Sequence, residues 1–288
     1  MSHASATATA AADVRSGNRA ALGGKVATGA TWLIGLVFFF PIAWMVLTAF
    51  KQEVDASTDT PKIAFSPTLD QFKGVFDSGF WPYVGNSAFA TLVSTLLVLM
   101  LAVPAAYALS IRPIAKTSDV LFFFISTKML PVVAVIVPLY VITQRTGLLD
   151  NIWTMIILFT SMNLPIAVWM LRSFMLEVPG EVLEAAQVDG AGMLSSFREV
   201  LLPMIAPGIA ATALICVIFA WNEFFFSVNL TAARAGTVPV FLVGFITSEG
   251  LFFAQLSAAA TMAALPVVIA GWVAQKQLVR GLSMGAIK

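Results

Sequence analysis

The chain has 288 residues, of which 59% are hydrophobic and only 11% charged, with a mean hydropathy of +0.91 and a net charge of +1. Soluble domains carry about a quarter charged residues, so a water-soluble globule is excluded in favour of a membrane protein. The near-zero net charge gives no reason to expect a nucleic-acid partner, and the single Cys216 rules out an intrachain disulfide framework.

Residues 1–25 are small and polar, with Arg15, Arg19 and Lys25 ahead of the first apolar run. They read as a disordered leader. The run from Val26 to Phe50 is longer than the roughly 7–15 residues of a signal-peptide core and lacks a convincing cleavage site, so it is expected to remain as a first span. Gly23-Gly24-Lys25 superficially suggests a phosphate-binding loop, but Val26 follows where Ser or Thr is needed and Arg19 stands in the first glycine position. The only histidine, His3, lies in the leader, which leaves little for metal binding or histidine-based catalysis.

A hydrocarbon core of roughly 30 Å requires about 20 apolar residues in helical form, because unpaired backbone groups are intolerable in lipid. Six stretches qualify: 28–50, 87–111, 119–142, 152–172, 207–228 and 256–276. Together they predict a transmembrane domain over 26–276. The apolar run Thr237–Thr247 is too short to span and holds Pro239 and Gly244, so it is expected as an interfacial or re-entrant piece. The first external loop, from Lys51 to Gly85, contains Pro61, Pro67 and Pro82 with Phe76, Phe80 and Trp81 near its end. It reads either as an ordered cap or as a passive connector.

Ten lysines and arginines fall on the side of the N-terminus and five on the other, with Lys128 left inside the third span. By the positive-inside rule both termini are cytoplasmic. Ionisable groups within spans mark functional sites by default. Lys128 either snorkels to the interface or pairs with an acid or helix end on a neighbour. Glu223, beside Asn222, either snorkels or lines a translocation pathway or gate, for which Lys128 and Asn222 are the other candidates. Pro104, Pro131, Pro138, Pro165 and Pro266 fall inside spans, where they kink helices. Ala102/Ala106 and Ala206/Ala210 are spaced for close helix approach.

The loop 173–207 between the fourth and fifth spans is an acidic island holding Glu177, Glu181, Glu184, Asp189 and Glu199. Pro179-Gly180 ends the fourth span, Glu181–Val188 is helix-prone with an acidic first turn, and Gly190 is a natural stop. Residues 191–202 predict a second short helix, before Pro203 and Pro207 lead back into the membrane. A helix pair resting on lipid favours Lys and Arg on its polar face. This acidic pair instead suits docking into a partner's groove. Ala185 and Ala186 permit close approach, Glu184 offers a charge to a basic residue, and Val182, Leu183, Val188, Met193, Leu194 and Phe197 supply apolar anchors.

The spacing Glu184-Ala185-Ala186, three residues, Gly190, nine residues, Val200, one residue, Leu202-Pro203 resembles the EAA loop of ABC importer permeases. The segment Gln277–Lys288, the Trp221-Asn222-Glu223-Phe224 stretch and Met262–Pro266 are similar to the MalG-like branch that takes up carbohydrates. This resemblance, covering the chain from Val26 onward, implies an all-α membrane protein with the six-helix type I importer permease fold and a cytoplasmic coupling-helix loop. It further implies a bacterial inner-membrane location and no catalytic residues or cofactor in this chain. The implied partners are a homologous MalF-like permease, two cytoplasmic ATPase copies that bind ATP and Mg, an external solute-binding protein, membrane lipid and a sugar or polyol. It also assigns the ATPase-coupling role to Glu184, Ala185, Ala186, Asp189, Gly190, Phe197, Leu202 and Pro203. The cytoplasmic tail 277–288 is implied to reach the ATPases through Gly281, Leu282, Gly285 and Lys288. Ser126–Pro131 and Val137–Tyr140 look most like permeases for sorbitol or mannitol. An ion-coupled secondary transporter or channel is the competing reading, with Glu223 as its only intramembrane acid and no use for a docking loop.

Overall fold

The computed structural model describes residues 3–111, 115–247 and 250–284, the side chains of 3–23, 26, 247, 250–251 and 276–284 excepted. Helix α1 (His3–Thr48) leads to two short helices of the external loop, α2 (Glu53–Ala56) and α3 (Asp70–Asp77), and to the long α4 (Phe80–Ser110). Then come α5 (Thr117–Met129), α6 (Val132–Arg145) and α7 (Ile152–Leu176). The loop helices α8 (Gly180–Val188) and α9 (Met193–Ser195) precede a π-helical turn, Ser196–Leu201, and α10 (Leu202–Trp221). The chain closes with α11 (Phe225–Leu230), α12 (Val238–Val243), a two-residue antiparallel pair β1 (Ile246–Thr247) and β2 (Gly250–Leu251), and α13 (Phe253–Met284).

Among the described residues five helical stretches are long and apolar enough to cross a membrane, and α5 with α6 makes a sixth if the pair counts as one span. The third predicted span is therefore not one straight helix over 119–142. It bends by 86° at Leu130-Pro131, where both residues have extended backbone. Proline drives the residue before it out of the helical region and has no N–H to continue the ladder.

The fifth span also differs from expectation. It ends at Trp221 rather than 228, and at its other end it runs unbroken from Met193. The second arm of the acidic loop is thus the first part of the span and not a separate surface helix. The π turn absorbs the register change just before Pro203, which sits in the first turn of α10 where a missing N–H costs least. In the leader, α1 has helical backbone back to His3 where composition reads disorder. The alanine-rich stretch favours helix intrinsically.

The core is formed where α4, α7 and α10 meet, with Val98, Ala102, Ala106, Val168, Leu171, Met175 and Ile205 buried. Ala102 and Ala106 are fully buried, so that pair does permit close approach, whereas Ala206 is exposed. The close contact of α10 is made instead by Gly208, where a Cβ would run into the Phe174 ring. Beside the loop 51–85 a second cluster joins Val75, Phe80, Trp221, Val238, Phe241 and Ala259. The loop 51–85 is an ordered cap: Gln71 Nε2 donates to the Lys51 carbonyl, and the Glu53 carboxylate accepts from Ala254 and Gln255 N–H at the start of α13.

Candidate coupling site and membrane-interior groups

Helix α8 is defined at both ends by backbone chemistry. Pro179 stands at its N-cap with extended ψ of 129°, and its C-terminus closes on Gly190, whose φ is +87°. Ala191 N–H donates to Ala186 C=O at 2.9 Å, and Gly190 N–H to Gln187 C=O at 3.0 Å. These are the paired bonds of a Schellman motif, which requires a left-handed residue after the helix. The glycine of the loop is therefore a backbone requirement before it is a contact.

The loop has an inner, seated side and an outer side. Leu183 is buried in the main cluster with Leu201 and Met175, and Phe197 packs edge-on against Tyr107 of α4 with ring centroids 5.1 Å apart. Ser196 is buried and donates to the Ala191 carbonyl at 3.4 Å. Phe197 and Leu202, read from sequence as contacts with a partner, belong to this seat and are half-buried. A cavity of about 310 Å³ remains between the end of α4 and the loop, lined by Tyr107, Leu183, Gln187, Met193 and Phe197.

Glu184, Ala185, Asp189 and Gly190 are exposed together, Ala186 is half-buried, and Pro203 is exposed above them. Around the Gly190 turn Val188 is 87% exposed, with Leu194 and Met193 exposed as well. The Glu184 carboxylate makes no hydrogen bond or ion pair within the protein among the described residues. The outer face thus combines a free carboxylate with a bare apolar tip, on a base fixed to α4 and α7. Gly281 and Leu282 have helical backbone at the end of α13, while Gly285 and Lys288 lie outside the described residues.

Lys128 pairs with no acid among the described residues. Its Nζ donates to the Met162 carbonyl of α7 at 2.8 Å, in the turn that Pro165 interrupts. It lines a cavity of about 370 Å³ with Phe123, Phe124, Met162 and Phe226, on the inside of the α5–α6 bend. Asn222 caps α10 and its Nδ2 donates to Ile218 C=O at 2.8 Å. Glu223 is buried, and its carboxylate accepts from Phe226 N–H at 2.8 Å and from the Ser227 N–H and hydroxyl at 3.2 Å. In this state Glu223 holds the start of α11 and is turned inward to its own backbone.

The chain matches the family of binding-protein-dependent transport system inner membrane components over residues 99–283. It belongs to that family. A probable ABC transporter permease of Sinorhizobium fredii, y4oR, is 37% identical over 89% of this permease and 92% of its own length. The diacetylchitobiose uptake system permease DasC of Streptomyces coelicolor is 31% identical over 91% of this chain and 95% of its own. Among solved structures, a bacterial ABC transporter for import of the acidic polysaccharide alginate aligns with a TM-score of 0.71 over 88% of this permease and 96% of that chain, at 23% identity. The fold is that of ABC importer permeases, and the ion-coupled carrier reading falls away.

The permease has one polar constellation that reasoning from sequence did not single out. Asp150 precedes α7 in a left-handed conformation, with φ of 54°. Its carboxylate accepts backbone N–H bonds from Ala232 at 2.8 Å, Ala235 at 2.9 Å and Arg234 at 3.0 Å, and its own N–H donates to Leu230 C=O. Burial pushes the carboxyl up, but those three N–H donors and the Arg234 charge outweigh it, so it sits below its ordinary value. The same loop is gripped from α4, where Asn86 Nδ2 donates to the Arg234 and Gly236 carbonyls and Ser87 Oγ accepts from Val238 N–H. The neighbouring Asn151, N-cap of α7 with its side chain accepting from Trp153 N–H, carries a readable local signal. Asp150 has none, because its partners lie more than 80 residues away.

Proposed function

We propose that this ABC importer permease carries a carbohydrate or sugar alcohol inward, and that its 173–207 loop receives the stroke of separate ATPase subunits. The observation that supports docking is the division of the loop. Leu183, Ser196 and Phe197 fix its base, while Glu184 and the Val188–Leu194 tip stay free. A push on the tip is transmitted to α4 and, through the continuous Met193–Trp221 helix, straight into the fifth span. A second permease, two ATPase copies binding ATP and Mg, and an external solute-binding protein complete the reading. Both termini and the loop then face the cytoplasm, as the lysine and arginine bias indicates.

The residues that resemble sorbitol and mannitol permeases, Ser126–Pro131 and Val137–Tyr140, fall on and beside the α5–α6 bend. Its inner side carries Lys128 and aromatic rings, a combination suited to a hydroxylated solute. Relatives named for trehalose and diacetylchitobiose uptake support the wider carbohydrate class.

The test is reconstitution of the purified complex in liposomes with its binding protein, measuring ATP hydrolysis and uptake of sorbitol, mannitol, maltose and trehalose. Glu184→Lys is expected to lose the ATPase from the complex or to separate hydrolysis from uptake. Wild-type assembly and uptake in that variant would remove the docking role. Stimulation by none of the four solutes would remove the substrate class.

A further inference from the structure

Lys51 is among the largest fully buried side chains, at 1% exposure, yet its ammonium has no hydrogen bond or ion pair within the protein among the described residues. The nearby acid is already engaged: Asp55 pairs with Lys62 at 2.7 Å. What faces the Lys51 Nζ is the Trp44 ring, 4.1 Å to its centroid, and more distantly Phe65 at 5.4 Å. A cation over an aromatic face is attracted by the ring quadrupole. That contact offers no lone pair for the three N–H donors of the ammonium.

Lys51 lines a cavity of about 350 Å³, in the range of small-molecule sites and far larger than one water needs. Thr48 lines the same wall, and its buried Oγ1 also lacks a hydrogen-bond partner among the described residues. Two donors therefore border one space and neither has an acceptor. The same cavity is lined by Asp55, Asp59 and Lys62, with Asp59 exposed and outside the Asp55–Lys62 pair. The site is thus bipolar, with the Lys51 cation and the spare Asp59 carboxylate lining one cavity.

Its position decides the class of ligand. The cavity lies between the outer end of the first span, which closes at Thr48, and the start of α13 at Phe253 and Ser257. It therefore stands at the level where lipid headgroups meet the hydrocarbon. Inward of it, α1 presents Val37, Phe38, Phe39, Phe40 and Ile42, all exposed, as a continuous apolar surface.

We propose that this cavity is a binding site for the headgroup of a zwitterionic glycerophospholipid bearing a primary amine, of the phosphatidylethanolamine type. The phosphate takes charge-assisted bonds from Lys51 Nζ, with Thr48 as a second donor on the same wall. The ammonium of the headgroup reaches Asp59, and the acyl chains run along the exposed face of α1. Glu53, which caps α13, and Lys51 leave the same external loop two residues apart, so an occupied site ties the first span to the sixth through that loop. The site is separate from the coupling loop and does not depend on the transported solute.

The experiment is native mass spectrometry of the intact transporter complex, delipidated in mild detergent and titrated with phosphatidylethanolamine, phosphatidylglycerol or phosphatidylcholine. The wild type is expected to retain phosphatidylethanolamine best. Lys51→Met is expected to weaken that retention about tenfold or more, the scale of one lost bond to a charged group. Lys51→Arg should keep most of it, and Asp59→Asn should erase the preference over phosphatidylglycerol while leaving the protein folded. These last two variants carry the test if Lys51→Met does not assemble. Equal lipid retention in wild type, Lys51→Met and Asp59→Asn would overturn the proposal. So would equal competition by glycerophosphoethanolamine or inorganic phosphate, which would mark a free-anion site. Loss of solute-binding-protein affinity in Lys51→Met with unchanged lipid retention would likewise refute it, assigning the cation to a protein carboxylate.

Discussion

Replacing Asp150 by alanine should be the most damaging single change outside the helix core. Three backbone N–H groups, of Ala232, Arg234 and Ala235, converge on its carboxylate at 2.8–3.0 Å. A hydrogen bond to a charged group is worth about 1.5–3 kcal/mol in a sheltered place. Asp150 is only half-buried and water can replace part of what is lost, so we take about 2–3 kcal/mol for the whole cradle rather than three full bonds. Alanine in a left-handed conformation adds about 1 kcal/mol, which asparagine largely avoids. Asp150→Asn keeps one acceptor oxygen and is expected to cost less than half as much. Thermal unfolding of the detergent-solubilised complex, followed by tryptophan fluorescence, should rank wild type above Asp150→Asn above Asp150→Ala. The pH dependence is specific. Because the folded-state carboxyl lies below its unfolded value of about 3.9, its stabilisation is complete above that pH and fades as pH falls through the folded value. The gap between wild type and Asp150→Asn should therefore be constant from pH 6 to 8 and shrink in strong acid. Equal stability of Asp150→Ala and wild type at neutral pH would refute the clamp, and a gap that widens in acid would refute its electrostatic origin.

Gly190→Ala meets open space, so its cost is the backbone alone, about 1–2 kcal/mol in the Schellman turn; uptake per ATP hydrolysed should fall while membrane insertion stays normal. Gly208→Leu should be far worse than Gly208→Ala, because the Phe174 ring of α7 already occupies the space of a Cβ, and the expressed yield of folded permease would show it. Removing the chain beyond Val279 should lower uptake with insertion intact, and unchanged uptake would argue against a tail contact with the ATPase.

Much of the fold was legible because it is written in periods and lengths. Twenty-residue apolar runs and the Glu184–Pro203 spacing act locally; most of the runs reappear as helices long enough to cross a membrane, and the family match bears out the importer-permease reading. The errors came where one residue redirects a helix. Leu130-Pro131 turned the third span through 86°, since hydropathy records that a segment is apolar and not that its axis changes. The second arm of the loop looked like a surface helix because prolines were taken as breaks. The π turn and the first-turn position of Pro203 let the helix continue instead.

The sequence by itself determined that the chain is a multi-span permease and that an acidic loop follows its fourth span. Composition and motif spacing are properties of adjacent residues, readable without knowing what touches what. Tertiary structure alone decided what the polar groups do. Phe197 became a seat against Tyr107, Glu223 a cap on α11, Lys128 a donor to the Met162 carbonyl, and Asp150 a clamp on a loop more than 80 residues away. A buried charge must find a partner, and which one it finds depends on the three-dimensional approach of segments that no local pattern encodes. Lys51 marks the remaining case: a buried side chain whose ammonium has an aromatic ring beside it and no acceptor among the described residues, lining a cavity at the end of the first span.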